Sequence, residues 1–198
     1  MDSAQPAEQK KRFAILSSIQ FQMILEENTF YHVFNQGNDR VKIFYKKDNY
    51  HYFLKKLKQF FIPYVSIVCY CLMPNHFHLL IYPKQDIDNK LFTKDLATCL
   101  RSYTRAINKQ EGKTGSLFRA HTKFKSDTKD SFVTVNNKEF TNPNRYARTC
   151  FEYIHQNPVK ANMVLKAEDW EFSSAKDYLG LREATLCNLK LGKEIFEN

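Results

Sequence analysis

The sequence predicts an α+β fold, ferredoxin-like (split βαβ), with an antiparallel sheet and helices packed on it. Two sets of observations carry this. β-favouring runs end in turn residues at 31–39, 65–73 and 76–82, and a further extended run covers 116–125. Apolar residues recur at helical spacing over 48–60 and 89–108. The resulting order is strand, helix, strand, strand, helix, strand, which is the order of the split βαβ unit.

Each element has a local reason. YHVFNQGND (31–39) begins β-rich and ends in turn formers. Asp48 is placed to cap a helix running to about Phe60. Phe53, Leu57 and Phe60 form its apolar stripe, Lys55, Lys56 and Lys58 its outer side, and Pro63 follows its end. VSIVCYCLM (65–73) is rich in β-branched residues. Pro74 and Asn75 form a tight turn, HFHLLIY (76–82) returns as the next strand, and Pro83 closes it. In the second helix Leu96, Leu100, Tyr103 and Ile107 form one stripe, and Arg101, Arg105 and Lys109 another, four apart. EGKTG (111–115) breaks that helix. Residues 126–144 read as a polar loop or insertion, and 144–157 as a helix that Pro158 stops, because the residue before proline disfavours the helical conformation. Short helical pieces follow from about Asp169, with Ser173 or Ser174 as a cap. A flexible polar arm (1–12), one domain (13–175) and a tail (176–198) complete the expected organisation.

The chain has 198 residues, 43% of them apolar, enough for a sizeable core in one domain. Its formal net charge of +9 points to a polyanionic partner, most often nucleic acid. The 17 Phe and 11 Tyr suit single strands, whose bases stack on rings while Lys and Arg follow the phosphates. An aromatic core under a solvated basic surface explains the same composition. The five cysteines are an odd number without a CxxC pair, which fits a reduced, cytoplasmic protein rather than a disulfide scaffold. No run approaches the ~18 apolar residues of a membrane span.

The chemistry-bearing stretch is MPNHFHLLIYP (73–83). In a strand, residues two apart point the same way. His76 and His78 therefore share a face, while Phe77, Leu79 and Ile81 turn toward the helices. Two imidazoles side by side suit one metal ion or one phosphate; two histidines on a half-exposed sheet, bonded to backbone or water, are the alternative. Cys69 and Cys71 also share a strand face, yet only LMPN separates them from the histidines, too little for the usual spacing of a structural zinc site. On the helix 144–157, Tyr153 and Asn157 stand one turn apart, a phenol and an amide able to reach the histidine pair. A core aromatic and a polar helix end are the alternatives for these two. Tyr103, inside an apolar stripe, reads as core.

Taken together, YHVFNQGNDRVKIFY (31–45), CYCLMPNHFHLL (69–80), SYTRAINK with GKTGSLFRA (102–120) and YIHQNPVKANMV (153–164) resemble the IS200-like single-tyrosine transposases, closest to the REP-associated tyrosine transposase branch. The likeness covers roughly residues 30–175. It implies a histidine–hydrophobe–histidine (HUH) nuclease fold and a tyrosine that attacks single-stranded DNA, forming a 5′-phosphotyrosine and releasing a 3′-hydroxyl without a nucleotide cofactor. Carried over residue by residue, Tyr153 is the nucleophile, and His76, His78 and Asn157 hold the metal, with Asn where other members carry Gln. The implied cofactor is Mg²⁺ or Mn²⁺, of which Mn²⁺ suits nitrogen ligands better. Single-stranded or hairpin DNA is the implied partner. Arg101, Arg105 and Lys109 are the expected backbone-binding face, extended by Arg119, Lys123 and Lys125. Relatives occur as monomers and dimers, so a homodimer is one expected assembly. A non-catalytic single-strand-binding module, a water-using metal hydrolase, and a domesticated enzyme cutting genomic repeat hairpins are the rival readings.

Overall fold

The computed structural model describes residues 24–126, 143–183 and 186–197. The expected arm 1–12 and most of the loop 126–144 lie outside these residues. Elements run in the order β1 (Tyr31–Gln36), α1 (Lys47–Phe60), β2 (Val65–Met73), β3 (His76–Pro83), α2 (Asn89–Glu111), β4 (Lys123–Lys125), α3 (Pro143–Lys160), the single turn α4 (Ala175–Tyr178) and α5 (Leu189–Glu197). The four strands form one antiparallel sheet in the order β2-β3-β1-β4, the split βαβ arrangement that the element order predicts.

Both faces of the sheet are buried. One carries Val33, Ile67, Tyr70, Leu72, Phe77, Leu79 and Ile81 against α1 and α2, whose Phe53, Leu57, Phe92, Leu96, Tyr103 and Ile107 fill the main core. The other carries Val68, Cys69, Cys71, Met73 and Leu80 against α3, through Tyr146, Ala147, Cys150, Phe151 and Ile154. A bulge at Val68 reconciles the two: Ile67 pairs with Ile81 and Cys69 with Leu80, leaving Val68 as the extra residue. Val68 and Cys69 then both pack toward α3. Beyond the bulge the alternation resumes, and Cys71 and Met73 face across to His78 and His76.

Several local expectations change. Asp48 does not cap α1. The Asn49 side chain does so, its Oδ1 accepting from the backbone N–H groups of Tyr45 and Lys46. Lys56 is not on the outer side of α1; it is buried, with its ammonium over the rings of Tyr52 and Phe60, where a cation gains from the aromatic faces. The run 116–125 forms a ladder only at 123–125, because residues 117–119 touch the end of β1 and the turn after it by isolated bonds: Arg119 N–H donates to Gln36 O and Asn38 N–H to Leu117 O.

Helix α3 does not stop before Pro158; it continues to Lys160 with the proline inside. Ala161 N–H reaches Asn157 O and Met163 N–H reaches Pro158 O, so the chain recovers helix-end bonds beyond the residue that lacks a donor. Packing of the helix on the sheet overrides the local preference of the residue before proline.

After α3 the chain runs along the outer edge of β2. Leu72 N–H donates to Phe172 O, Ser174 N–H to Tyr70 O and Asn188 N–H to Ile67 O. Arg182 ties this segment down, pairing with Asp177 at 2.6 Å and donating to Tyr70 Oη and the carbonyls of Glu171 and Ser173. Ser174 precedes α4 as its N-cap residue, but no capping bond comes from its side chain, whose hydroxyl instead meets Tyr70 and His155. No helix among the described residues is long and apolar enough to cross a membrane.

Candidate active site and nucleic-acid interface

Antiparallel pairing of β1 with β3 sets His78 opposite Phe34 and His76 opposite Gln36. His32, Phe34 and Gln36 therefore share the face of the two histidines. This is also the face that α3 covers. The strands bring His76 and His78 together with ring centroids 5.0 Å apart, one ring edge-on to the other. Tyr153 comes down from α3 onto the pair, its ring 5.5 Å from His78 and 5.8 Å from His32. Asn157, one turn further along, makes a polar contact with the His76 ring. The four residues singled out in the sequence thus meet at one place. Beside them Phe34, Asn35, Gln36, His76 and His78 line an open cavity of about 200 Å³.

The hydrogen bonds around the histidines decide which nitrogens are free. Asn75 Nδ2 donates to Arg40 O at 3.3 Å, so its Oδ1 is left to accept from His76 Nδ1, at 2.6 Å. A neutral His76 with its proton on Nδ1 keeps a lone pair on Nε2. His78 Nδ1 lies 2.8 Å from His32 Nε2, again leaving Nε2 as the unengaged nitrogen. The Asn157 side chain donates through Nδ2 to Tyr153 O at 2.8 Å, so its Oδ1 is the atom turned to the His76 ring.

Burial keeps all three imidazoles uncharged at neutral pH. It lowers His76 and takes His78 well below the ordinary value, with His32 and His76 adding to the latter. His32 falls to about 4 through burial, with the Lys125 ammonium as a second cause. Neutral imidazole is the form that binds a cation. Among the described residues, no three His, Cys, Asp or Glu side chains converge on a metal-sized point. The donor set on offer is therefore two imidazoles and an amide oxygen. Cys71 faces His78 across the strand pair, but burial pushes its thiol far up, the inert, protonated form of a core cysteine.

The basic residues fall into two groups. Arg101, Arg105 and Lys109 on α2, and Arg119 on the strap that follows it, line one groove of about 780 Å³, together with Lys113 and polar Thr104, Asn108 and Ser116. Lys123 and Lys125 are exposed on β4 and lie opposite Phe34 and His32, on the histidine face. Arg119 links the two groups, since its N–H is bonded to Gln36, which lines the small cavity. Tyr103 is fully buried and its hydroxyl donates to Ile43 O at 2.7 Å.

Three features had no counterpart in the sequence reading. His32 was visible only as one residue of a strand; its partner is 46 residues away and requires the β1–β3 register. Lys160 places its ammonium 5.1 Å over the Tyr153 ring, a spacing of seven that signals two turns of one helix face. Lys113 joins the groove through the left-handed Gly112 that ends α2. Of the other histidines, His121 is exposed, and His155 is buried and bonded to Ser174 Oγ at 2.8 Å.

No protein-family model and no curated protein matches the sequence. A solved structure described as a REP-associated tyrosine transposase bound to a REP hairpin is similar in fold. The superposition has a TM-score of 0.56 at 19% identity and covers 80% of this chain and 82% of that one. At that identity the likeness shows a shared fold.

Proposed function

We propose that this protein is a divalent-metal-dependent single-stranded DNA nuclease and strand transferase of the HUH, single-tyrosine type, acting in transposition or on repeat hairpins. The observation that carries the reading is the meeting of Tyr153 with the paired histidines and Asn157, on a face bordered by Lys160, Lys123 and Lys125. The fold neighbour, a tyrosine transposase bound to a DNA hairpin, supports it. In this reading residues 13–175 form the nuclease unit, residues 176–198 its tail, and the protein works in the cytoplasm with its cysteines reduced.

A divalent cation fits the donor set, because the Nδ1 of each histidine is engaged by another side chain, as in metal-binding histidines, and Asn157 contacts the His76 ring. His76, His78 and Asn157 Oδ1 would hold Mg²⁺ or Mn²⁺. When bound, the ion withdraws charge from the scissile phosphate and orients it. The phenolic oxygen of Tyr153 attacks phosphorus and the bond to the 3′ oxygen breaks. The phenol proton leaves to solvent and the departing oxygen takes one up. One phosphate ester replaces another, so the 5′-phosphotyrosine retains the bond energy and rejoining is the reverse step. Arg101, Arg105, Lys109, Arg119, Lys123 and Lys125 hold the DNA backbone on the way to the site.

Labelled hairpin DNA incubated with Mn²⁺ or Mg²⁺ and run on a denaturing gel tests this. The wild type is expected to yield a covalent protein–DNA adduct, which peptide mass spectrometry assigns to Tyr153. Tyr153→Phe is expected to bind DNA, fold and form no adduct. An adduct on another tyrosine, or hydrolysed DNA with no adduct, would replace this mechanism by a water-using one or move the nucleophile.

A further inference from the structure

Asn75 determines the tautomer of His76, since a carboxamide oxygen only accepts and Asn75 Nδ2 is engaged by Arg40 O. His78 has no such partner. Its Nδ1 meets another histidine, His32 Nε2, at 2.8 Å in a buried contact, and a neutral imidazole nitrogen either donates or accepts. The two cases have opposite consequences. If His32 Nε2 donates, His78 carries its own proton on Nε2 and presents a donor to the cavity, as would suit an anion. If His32 Nε2 accepts, His78 Nε2 is a bare lone pair beside that of His76.

We infer that His32 is the positioning residue of His78: its Nε2 accepts from His78 Nδ1–H and so holds His78 in the tautomer whose Nε2 can bind a cation. The inference rests on the reading of His76 and His78 as a metal-binding pair. The surroundings hold this contact in place. His32 is 8% exposed, and its ring is fixed from two further sides, by Phe34 at 4.8 Å and Tyr153 at 5.8 Å between centroids. The contact is therefore rigid rather than a chance meeting of surface side chains. His32 sits on the central strand β1, next to β3, so the backbone ladder also holds the pair in register. His32 is not itself a ligand here, because its Nε2 is spent on His78. Partners of this kind typically change metal affinity ~10- to 100-fold when removed.

The test uses the full chain. Long-range ¹H–¹⁵N correlation of the metal-free wild type reads the His78 tautomer directly. The proton is expected on Nδ1; a proton on Nε2 would overturn the inference without any reference to metal. Titration with Mn²⁺ followed by electron paramagnetic resonance gives the second arm. His32→Phe keeps a ring and loses the acceptor, and should weaken Mn²⁺ binding by roughly 10- to 100-fold, with kcat recovering at saturating Mn²⁺. His32→Gln places an amide near the former Nε2 and should bind within a few-fold of wild type. Mn²⁺ affinity in a folded His32→Phe equal to wild type, or a His32→Gln no better than His32→Phe, would refute the positioning role. The metal-site reading fails separately, if wild type and the double variant His76→Ala/His78→Ala bind Mn²⁺ alike; the tautomer measurement then still decides what His32 does.

Discussion

Replacing Arg101 and Arg105 together by alanine removes two of the five cations, Arg101, Arg105, Lys109, Lys113 and Arg119, that line the groove beside α2. If each contacts one phosphate of a bound single strand, the groove contributes about −3.5, five times −0.7, to the slope of log K against log[salt], on top of any share from Lys123 and Lys125. A fourfold rise in salt weakens that contribution by roughly 100-fold. With three cations left, the groove's share becomes about −2.1, and the same rise costs only about 20-fold. Fluorescence anisotropy with a labelled single strand, at several salt concentrations, measures both slopes. Lys90 and Lys94 are exposed on the first turns of the same helix and outside the groove, so their double alanine variant is the control. Its net charge changes equally, and its slope is expected to stay at the wild-type value. Equal slopes for wild type and Arg101→Ala/Arg105→Ala would show that this groove does not bind the strand, and an equal change in the control would show that net charge rather than the groove sets the slope.

Tyr103→Phe removes a fully buried donor to Ile43 O and should lower stability by about 1–3 kcal/mol in thermal or urea unfolding, while adduct formation at Tyr153 persists. Stability should also fall in mild acid through His155. Its folded pKa is depressed to about 4 by burial, while the unfolded chain titrates near 6.5, so protonation favours the unfolded state. This contribution is complete above pH 6.5 and is lost as pH falls from there to about 4, a change of up to about 3 kcal/mol. His155→Gln, which cannot titrate and can still bond Ser174, should flatten the acid limb of a urea-denaturation series by that order; an unchanged limb would refute the account.

Much of the site could be read before the fold. The paired histidines share a face because a strand repeats every two residues, and Tyr153 and Asn157 share one because a helix nearly repeats every four. The hairpin around Pro74 and Asn75 is a local signal, as is the basic stripe of α2. What escaped reading is long-range. The contact of His32 with His78 depends on strand register, and the burial of Lys56 on the rings it happens to meet. The passage of α3 through Pro158 escaped for a related reason: the rule that stops a helix before proline weighs one residue's preference, whereas the sheet holds the whole helix.

The backbone bonds that Phe172, Ser174 and Asn188 make along the outside of β2 bear on solubility. The strand under them, nine residues of VSIVCYCLM with no charge and no proline, has the composition that propagates cross-β assembly when its edge is open. The opposite edge, β4, is defended differently, by being three residues long with lysine at either end. The stretches Glu171–Glu183 and Leu186–Asn188 therefore act as a cover strip. A chain shortened to end before it would keep Tyr153 and both histidines, yet expose an adhesive strand to other copies of itself and sediment as aggregate instead of remaining in solution.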